Sequence, residues 1–388
     1  MHFFNSSSRT PGQQPHQLPN LTNSIHALLS KKKVNAPASV FKLIEPAFQL
    51  TTLIVQHKAQ DFFLALCTKH LRPANLAGET DFDIPEILYR GREAKALTPR
   101  DRETVKDLFD RLVDHVDSIN IASHDERHVY GCTKSFLDPT TARKSSEIFV
   151  SAHVVMRIAE ATMTLRADPK NTKAAASRLR HLLILALTIL HEIVHAAIWM
   201  QGLGSWQALE DELTDTPDRV RIALIEPLFE NDDHNEMGDA FENFLLGGKP
   251  SCRVCVPDCG GEVLTLAHPK QSRRALDYCA KTKGLFVSHD AVKAATVDEV
   301  WGVVDDNSIA RLFSKGYWQD AEAEGCGKID LEIVACATMF GSNGPIRTQW
   351  KPGKDRYWTQ GVTLFPDVEN TVLSRYKKLR DLHDVQGE

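Results

Sequence analysis

Nine residues from Leu182 to Leu190, eight of them purely apolar, run straight into His191-Glu192-Ile193-Val194-His195. That junction limits what the chain can become. The run is too short and too soon interrupted by polar side chains for a membrane span, so it reads as the centre of a buried helix. The helix extends from Asn171 to Met200, with Gly202 and Gly204 ending it. Two histidines four residues apart share one helical face, one turn above the other. Burying unpaired polar groups costs several kcal/mol, so the triplet needs partners. One metal ion satisfies all three side chains. The plainer alternative is two core histidines bonded to carbonyls, with Glu192 in an ion pair.

The spacing is H-E-x-x-H, in which two neutral imidazoles hold Zn²⁺ and the glutamate serves as general base toward a water on the ion. A catalytic zinc takes three protein ligands, so a third must come from an element packed on this helix. The stretch Asp232 to Gly248 fits, as a helix with an Asp N-cap and a Gly C-cap. Its buried stripe is Met237, Ala240, Phe241, Phe244 and Leu245. Glu236 borders that stripe and is the candidate third ligand, while Glu242 lies about 120° away and points elsewhere. Glu236 also fits a capping box with Asp233, and Glu242 or another acid is the alternative ligand. Gly238 allows a close approach between the two helices. His234 is a candidate competing ligand or oxyanion stabiliser, and Tyr317 a candidate oxyanion donor. Leu312-Phe313 and the Tyr317-Trp318 pair read first as core.

These residues carry a resemblance. H-E-x-x-H followed by a glutamate on a second helix resembles the zincin metallopeptidases of the glutamate-ligand kind. More narrowly, His191 to Ile198, the Glu226-Pro227 step, Glu236-x-Gly238-x-x-Phe241-Glu242, Gly247-Gly248 and Leu312 to Trp318 are similar to a zincin-like family of filamentous fungi. The resemblance covers about residues 125 to 340 and is strong in the motifs alone. It implies a zincin fold, His191, His195 and Glu236 as ligands, Glu192 as base, and an edge strand that pairs with an extended peptide substrate. It implies no particular substrate.

Elsewhere the chain is less informative. Cys252, Cys255 and Cys259, with His268 and Cys279 beyond, are candidates for a second, structural zinc, though free thiols in a loop explain them as well. The net charge of -5 argues against nucleic acid as a general partner. The N-terminus lacks the pattern of a signal peptide, so an intracellular protein with mostly reduced cysteines is expected. The expected architecture is α+β: a small mixed sheet with an edge strand packed on the metal helix, a second ligand-bearing helix, and an N-terminal helical layer. Its parts are a disordered segment (1–35), the helical layer (36–120), a catalytic region (121–345), and a C-terminal loop and helix (346–388). Within the layer Pro46 separates two helices and Thr98-Pro99 opens a third, and no strand is expected before about residue 120. The strands expected are at 127–132 and 146–151. The acidic stretch Glu210 to Asp215 reads as a solvated loop. Function is expected to be zinc-dependent peptide hydrolysis. The alternatives are an inactive zincin-like binding protein, a protease of DNA-bound proteins, and a scaffold whose cysteines hold the sole zinc.

Overall fold

The computed structural model describes residues 19–68, 71–73, 85–87, 97–122, 130–208, 219–229, 236–254, 262–269, 297–324, 329, 331, 333–342 and 344–347. His234, Cys255, Cys259, Cys279, the acidic stretch and the expected C-terminal helix lie outside these residues.

The described chain begins with a short 3-10 turn, Ala27–Leu29, then β1 (Val34–Asn35), α1 (Ala38–His57), α2 (Gln60–Thr68), β2 (Leu71–Pro73) and β3 (Pro85–Ile87). Next come α3 (Pro99–His115), β4 (Val116–Ala122), β5 (Gly131–Leu137), β6 (Lys144–Ser151), α4 (Ala152–Ala167) and α5 (Thr172–Gln201). They are followed by β7 (Ser205–Ala208), β8 (Val220–Ile225), β9 (Leu228–Phe229) and α6 (Met237–Leu246). The last elements are β10 (Lys249–Val254), β11 (Glu262–Pro269), β12 (Val297–Val304), α7 (Asp306–Leu312), α8 (Lys315–Glu324), β13 (Ile333–Ser342) and β14 (Gly344–Arg347).

The architecture is α+β, as expected, but with more sheet. A six-stranded mixed sheet runs β1-β4-β6-β5-β8-β7, and a five-stranded antiparallel sheet runs β10-β11-β12-β13-β14. The second sheet is not foreseen in the sequence reading, and β14 lies in a stretch that reads as Gly/Pro-rich loop. Three small strands, β2, β3 and β9, form a third sheet. Strands therefore precede residue 120: β4 continues directly from α3 and pairs in parallel with β6. Its Asp117, Ser118 and Asn120 are poor strand formers, and pairing on both sides overrides them. Because β4 covers one side of β6 and β5 the other, β6 is an interior strand and not the expected edge.

The first 35 residues are also not uniformly structureless. Leu21, Leu28, Leu29 and Val34 are buried, and β1 closes one edge of the large sheet. Pro46 does not divide α1; the helix runs through it. A proline inside a helix costs about 3 kcal/mol. Burial of Ile44, Phe48, Leu50, Leu53 and Ile54 around it offsets that cost, at roughly 1.5–3 kcal/mol per large side chain. The Thr98 start of α3 holds, as a capping box with Asp101.

Helix α5 is the centre of the molecule. The Asn171 side chain caps it and Gly202, in the left-handed region at φ 66°, ends it. α1 and α5 are both long and apolar enough to cross a membrane by length and composition, but 89% of the apolar window of α5 is buried in the fold. α4 folds back on α5, the large sheet covers it through β5 and β6, and α1 and α6 pack on it. The helical layer reaches α6 through an aromatic cluster. Phe62 of α2 stacks on Phe229 at 4.7 Å and meets Phe241 edge-on at 5.1 Å, while Phe63 meets Phe109 at 4.8 Å. Leu312, Phe313 and Trp318 are buried in the same core, as expected.

Candidate metal centre

His191 and His195 stand one turn apart on α5, their ring centroids 4.9 Å from each other. Facing them is Glu236. Its Oε1 lies 3.2 Å from His191 Nε2 and 2.8 Å from His195 Nε2. The three donor atoms fall within 4.8 Å of one another. A tetrahedral site with bonds of about 2.1 Å has ligand–ligand edges of about 3.4 Å, so the spacing suits one shared ion. The residues expected to act as ligands are thus brought together, and the group could hold a metal.

The way Glu236 arrives differs from expectation. It does not lie inside a helix capped by Asp233. It is itself the N-cap of α6, with extended backbone (φ -115°, ψ 99°), and its side chain accepts from the Asp239 N–H. One carboxylate oxygen caps the helix while the other faces both imidazoles. A helix cap and a carboxylate oxygen facing both imidazoles thus occur in one side chain, though the cap is the N-cap itself and not the capping box with Asp233.

Glu242 is the clearest correction. Measured from Glu236 at 100° per residue it should point away, but Glu236 is not helical, so that angle has no meaning. Glu242 is buried, with Oε1 3.1 Å from His191 Nδ1. On the other histidine, Glu226 Oε1 lies 2.6 Å from His195 Nδ1. Each imidazole therefore gives its Nδ1–H to a carboxylate and turns Nε2 toward the shared position. That arrangement fixes tautomer and ring orientation, as in metal-binding histidines. Neither partner was legible as such: Glu226 entered the sequence reading as part of a motif, without a role.

Glu192 is 3% exposed. Thr133 Oγ1, on β5, shares its hydrogen between the Glu192 carbonyl at 3.0 Å and the Glu192 carboxylate at 2.8 Å. Two glycines permit the close packing. A Cβ on Gly131 would fall 2.8 Å from Glu192 Oε1, and one on Gly238 would strike the His191 ring. The role expected of Gly238 is borne out.

Protons on the imidazoles or a bound cation would offset the charge gathered here. Four carboxylates, Glu192, Glu226, Glu236 and Glu242, surround two imidazoles. Burial disfavours charge on His191, but Glu242, Glu236 and Glu192 outweigh it and raise its pKa well above the usual value. At His195 burial is likewise outweighed, by Glu226 and Glu236, and the pKa rises to about 10. Burial opposes ionisation of Glu236, and the two imidazoles reverse this and hold its carboxyl far below the usual range. Burial pushes Glu242 up, and its Oε2 has no hydrogen-bond partner among the described residues. The carboxylates thus attract protons onto the imidazoles where a divalent ion would otherwise bind, and ion and protons compete. A second grouping of His191, Asp239 and Glu242 is spatially close enough for an ion. There, however, Lys249 already supplies a cation, with Nζ 2.5 Å from Asp239 Oδ2.

Of the remaining candidates, Tyr317, Cys252 and His268 lie within the described residues. Tyr317 lies on α8, edge-on to Trp318 at 5.0 Å, beside α1 and α7. Cys252 sits on β10 opposite Leu264 of β11, and His268 lies four residues further along β11. At about 3.3 Å per residue that separates them by roughly 13 Å along the ladder, too far for one ion. No family model, curated protein or solved structure matches the chain.

Proposed function

We propose that this chain is a zinc-dependent peptide hydrolase with a zincin-like arrangement of helix and sheet. The observation that carries the reading is the pair of Nε2 atoms facing one Glu236 oxygen, each ring held at Nδ1 by its own buried carboxylate, with Glu192 adjacent. A two-nitrogen, one-oxygen donor set is that of hydrolytic zinc. When bound, Zn²⁺ supplies Lewis acidity that polarises a carbonyl and makes water nucleophilic near neutral pH.

The chain's own groups do the rest. Glu192 takes a proton from the attacking water onto a carboxylate oxygen and delivers it to the departing amine nitrogen. Thr133 holds that carboxylate against β5. The substrate in this reading is an extended peptide that binds by backbone pairing beside Glu192.

The test is turnover of a diverse peptide library by zinc-loaded protein, with a chelator control. Glu192→Gln should keep zinc and lose activity by about 10²–10⁴-fold or more. Wild-type turnover in that variant would remove the base assignment. One observation favours a second reading, a metal-binding protein without turnover: Glu192 is almost fully buried and tethered by Thr133. Zinc binding with no cleavage of any library member would select it.

A further inference from the structure

We infer that Glu226 is a positioning residue that makes the docking of α6 and the assembly of the metal centre a single event; this rests on the metal-centre reading above. Glu226 lies outside both ligand-bearing helices, just after β8, and is 6% exposed. Its two oxygens serve two different elements. Oε1 accepts from His195 Nδ1 on α5 at 2.6 Å, and Oε2 accepts from the Met237 N–H at 2.9 Å.

Met237 directly follows Glu236. Its N–H is one of the first-turn donors that a helix cannot satisfy internally, and an anionic acceptor there is favoured by the helix dipole as well. The same carboxylate therefore fixes the peptide unit beside the third ligand and the orientation of the second. Glu242 differs. It orients His191 from within α6, and among the described residues its second oxygen meets no donor. Removing Glu226 should thus cost both imidazole orientation and the seating of Glu236, whereas removing Glu242 should cost orientation alone. Pro227, buried beside it, holds the step rigid.

The experiment uses the full chain, zinc-loaded and chelated, with zinc affinity by competition titration and amide exchange over the first turn of α6. Glu226→Ala should weaken zinc by about 10–100-fold, the loss typical of an outer carboxylate, and should speed exchange at Met237 to Ala240 in the chelated protein. Glu242→Gln should weaken zinc without speeding that exchange. If Glu226→Ala does not fold, Glu226→Gln carries the test, since one amide group cannot accept from both donors; a loss of about 10-fold with faster exchange is expected. Affinity within twofold of wild type, or weakened zinc with unchanged exchange, overturns the inference. If wild type itself takes up no zinc, the metal-centre reading fails instead.

Discussion

The two halves of the candidate centre are built on different terms. The α5 half places His191, Glu192 and His195 on a 30-residue helix whose middle is buried on all sides. Their positions follow from helix geometry and would persist without an ion. The α6 half places Glu236 on an extended residue ahead of a 10-residue helix. Its side chain is 37% exposed, against 18% and 19% for the two histidines. It is held by its own cap, by the imidazoles and, through the neighbouring amide, by Glu226. A rigid half that defines direction and a softer half that completes the shell imply that occupancy is governed by the softer one.

Deleting one ligand from each half tests this most severely. Zinc sites bind with about 10–16 kcal/mol over four ligands. An even share makes one ligand worth about 2.5–4 kcal/mol, or roughly 70- to 1,000-fold. His195→Ala and Glu236→Gln should both approach that loss in a competition titration. Their stabilities in chelator should diverge. His195→Ala leaves Glu226 buried with one donor missing and should lower the melting temperature. Glu236→Gln removes the charge that faces the imidazoles but keeps a capping oxygen at a half-exposed position, and should lower it less. Wild-type zinc affinity in Glu236→Gln would break the comparison at its weaker side.

Acid should strike the α5 half through its supporting sheet. His115, at the end of α3, is buried against Ser146 of β6 at 3.0 Å. Burial lowers its pKa to about 4, although Asp117 opposes the shift. The unfolded chain, with an ordinary value near 6.5, takes up the proton first. The contribution is therefore fully present above about pH 6.5 and is lost as pH falls toward 4, to a total of about 3 kcal/mol. Urea unfolding of chelated protein at pH 7 and pH 5 should show wild type losing about 2 kcal/mol more than His115→Gln. Equal losses would mean that this histidine does not link acid to the sheet.

The same division explains what the sequence revealed. The α5 half was legible because its information is local: an apolar run, a glycine stop and an i, i+4 pair. The buried stripe of α6 was legible for the same reason, as were Gly238 and the Thr98 cap. What sequence could not disclose is who meets whom across 31 or 51 residues: Glu226 with His195, Glu242 with His191. Thr133 carried no signal, since a threonine in a strand is unexceptional. The five-stranded sheet was missed because β12, which pairs with both β11 and β13, stands far from each of them in the chain. Local rules also failed where packing outweighs them, at Pro46 and at β4. Treating Glu236 as helical produced the error at Glu242, because one residue of extended backbone undoes the angular argument.

Gly238→Ala offers the smallest effect and the finest test of how closely the halves fit. Two terms compete. Alanine inside a helix gains about 0.5–1 kcal/mol over glycine. Against that, the added methyl would enter the space of the His191 ring, and forcing a group into a packed interface costs about 1–3 kcal/mol. Backbone strain does not enter, because Gly238 is not among the glycines with positive φ. If α6 is seated as described, the second term wins, and chelated protein should lose about 0.5–2 kcal/mol in urea unfolding. Zinc affinity should fall as well, because the shift needed to accommodate the methyl moves Glu236 and His191 apart. A neighbouring exposed site is no substitute as control; Gly316 on α8, where an added Cβ meets nothing within 4 Å, is the appropriate one. Gly316→Ala should be neutral or stabilising with zinc affinity unchanged. A Gly238→Ala protein that behaves like Gly316→Ala would mean that the α6 half stands further from α5 than its contacts indicate, and that the softer half is looser still.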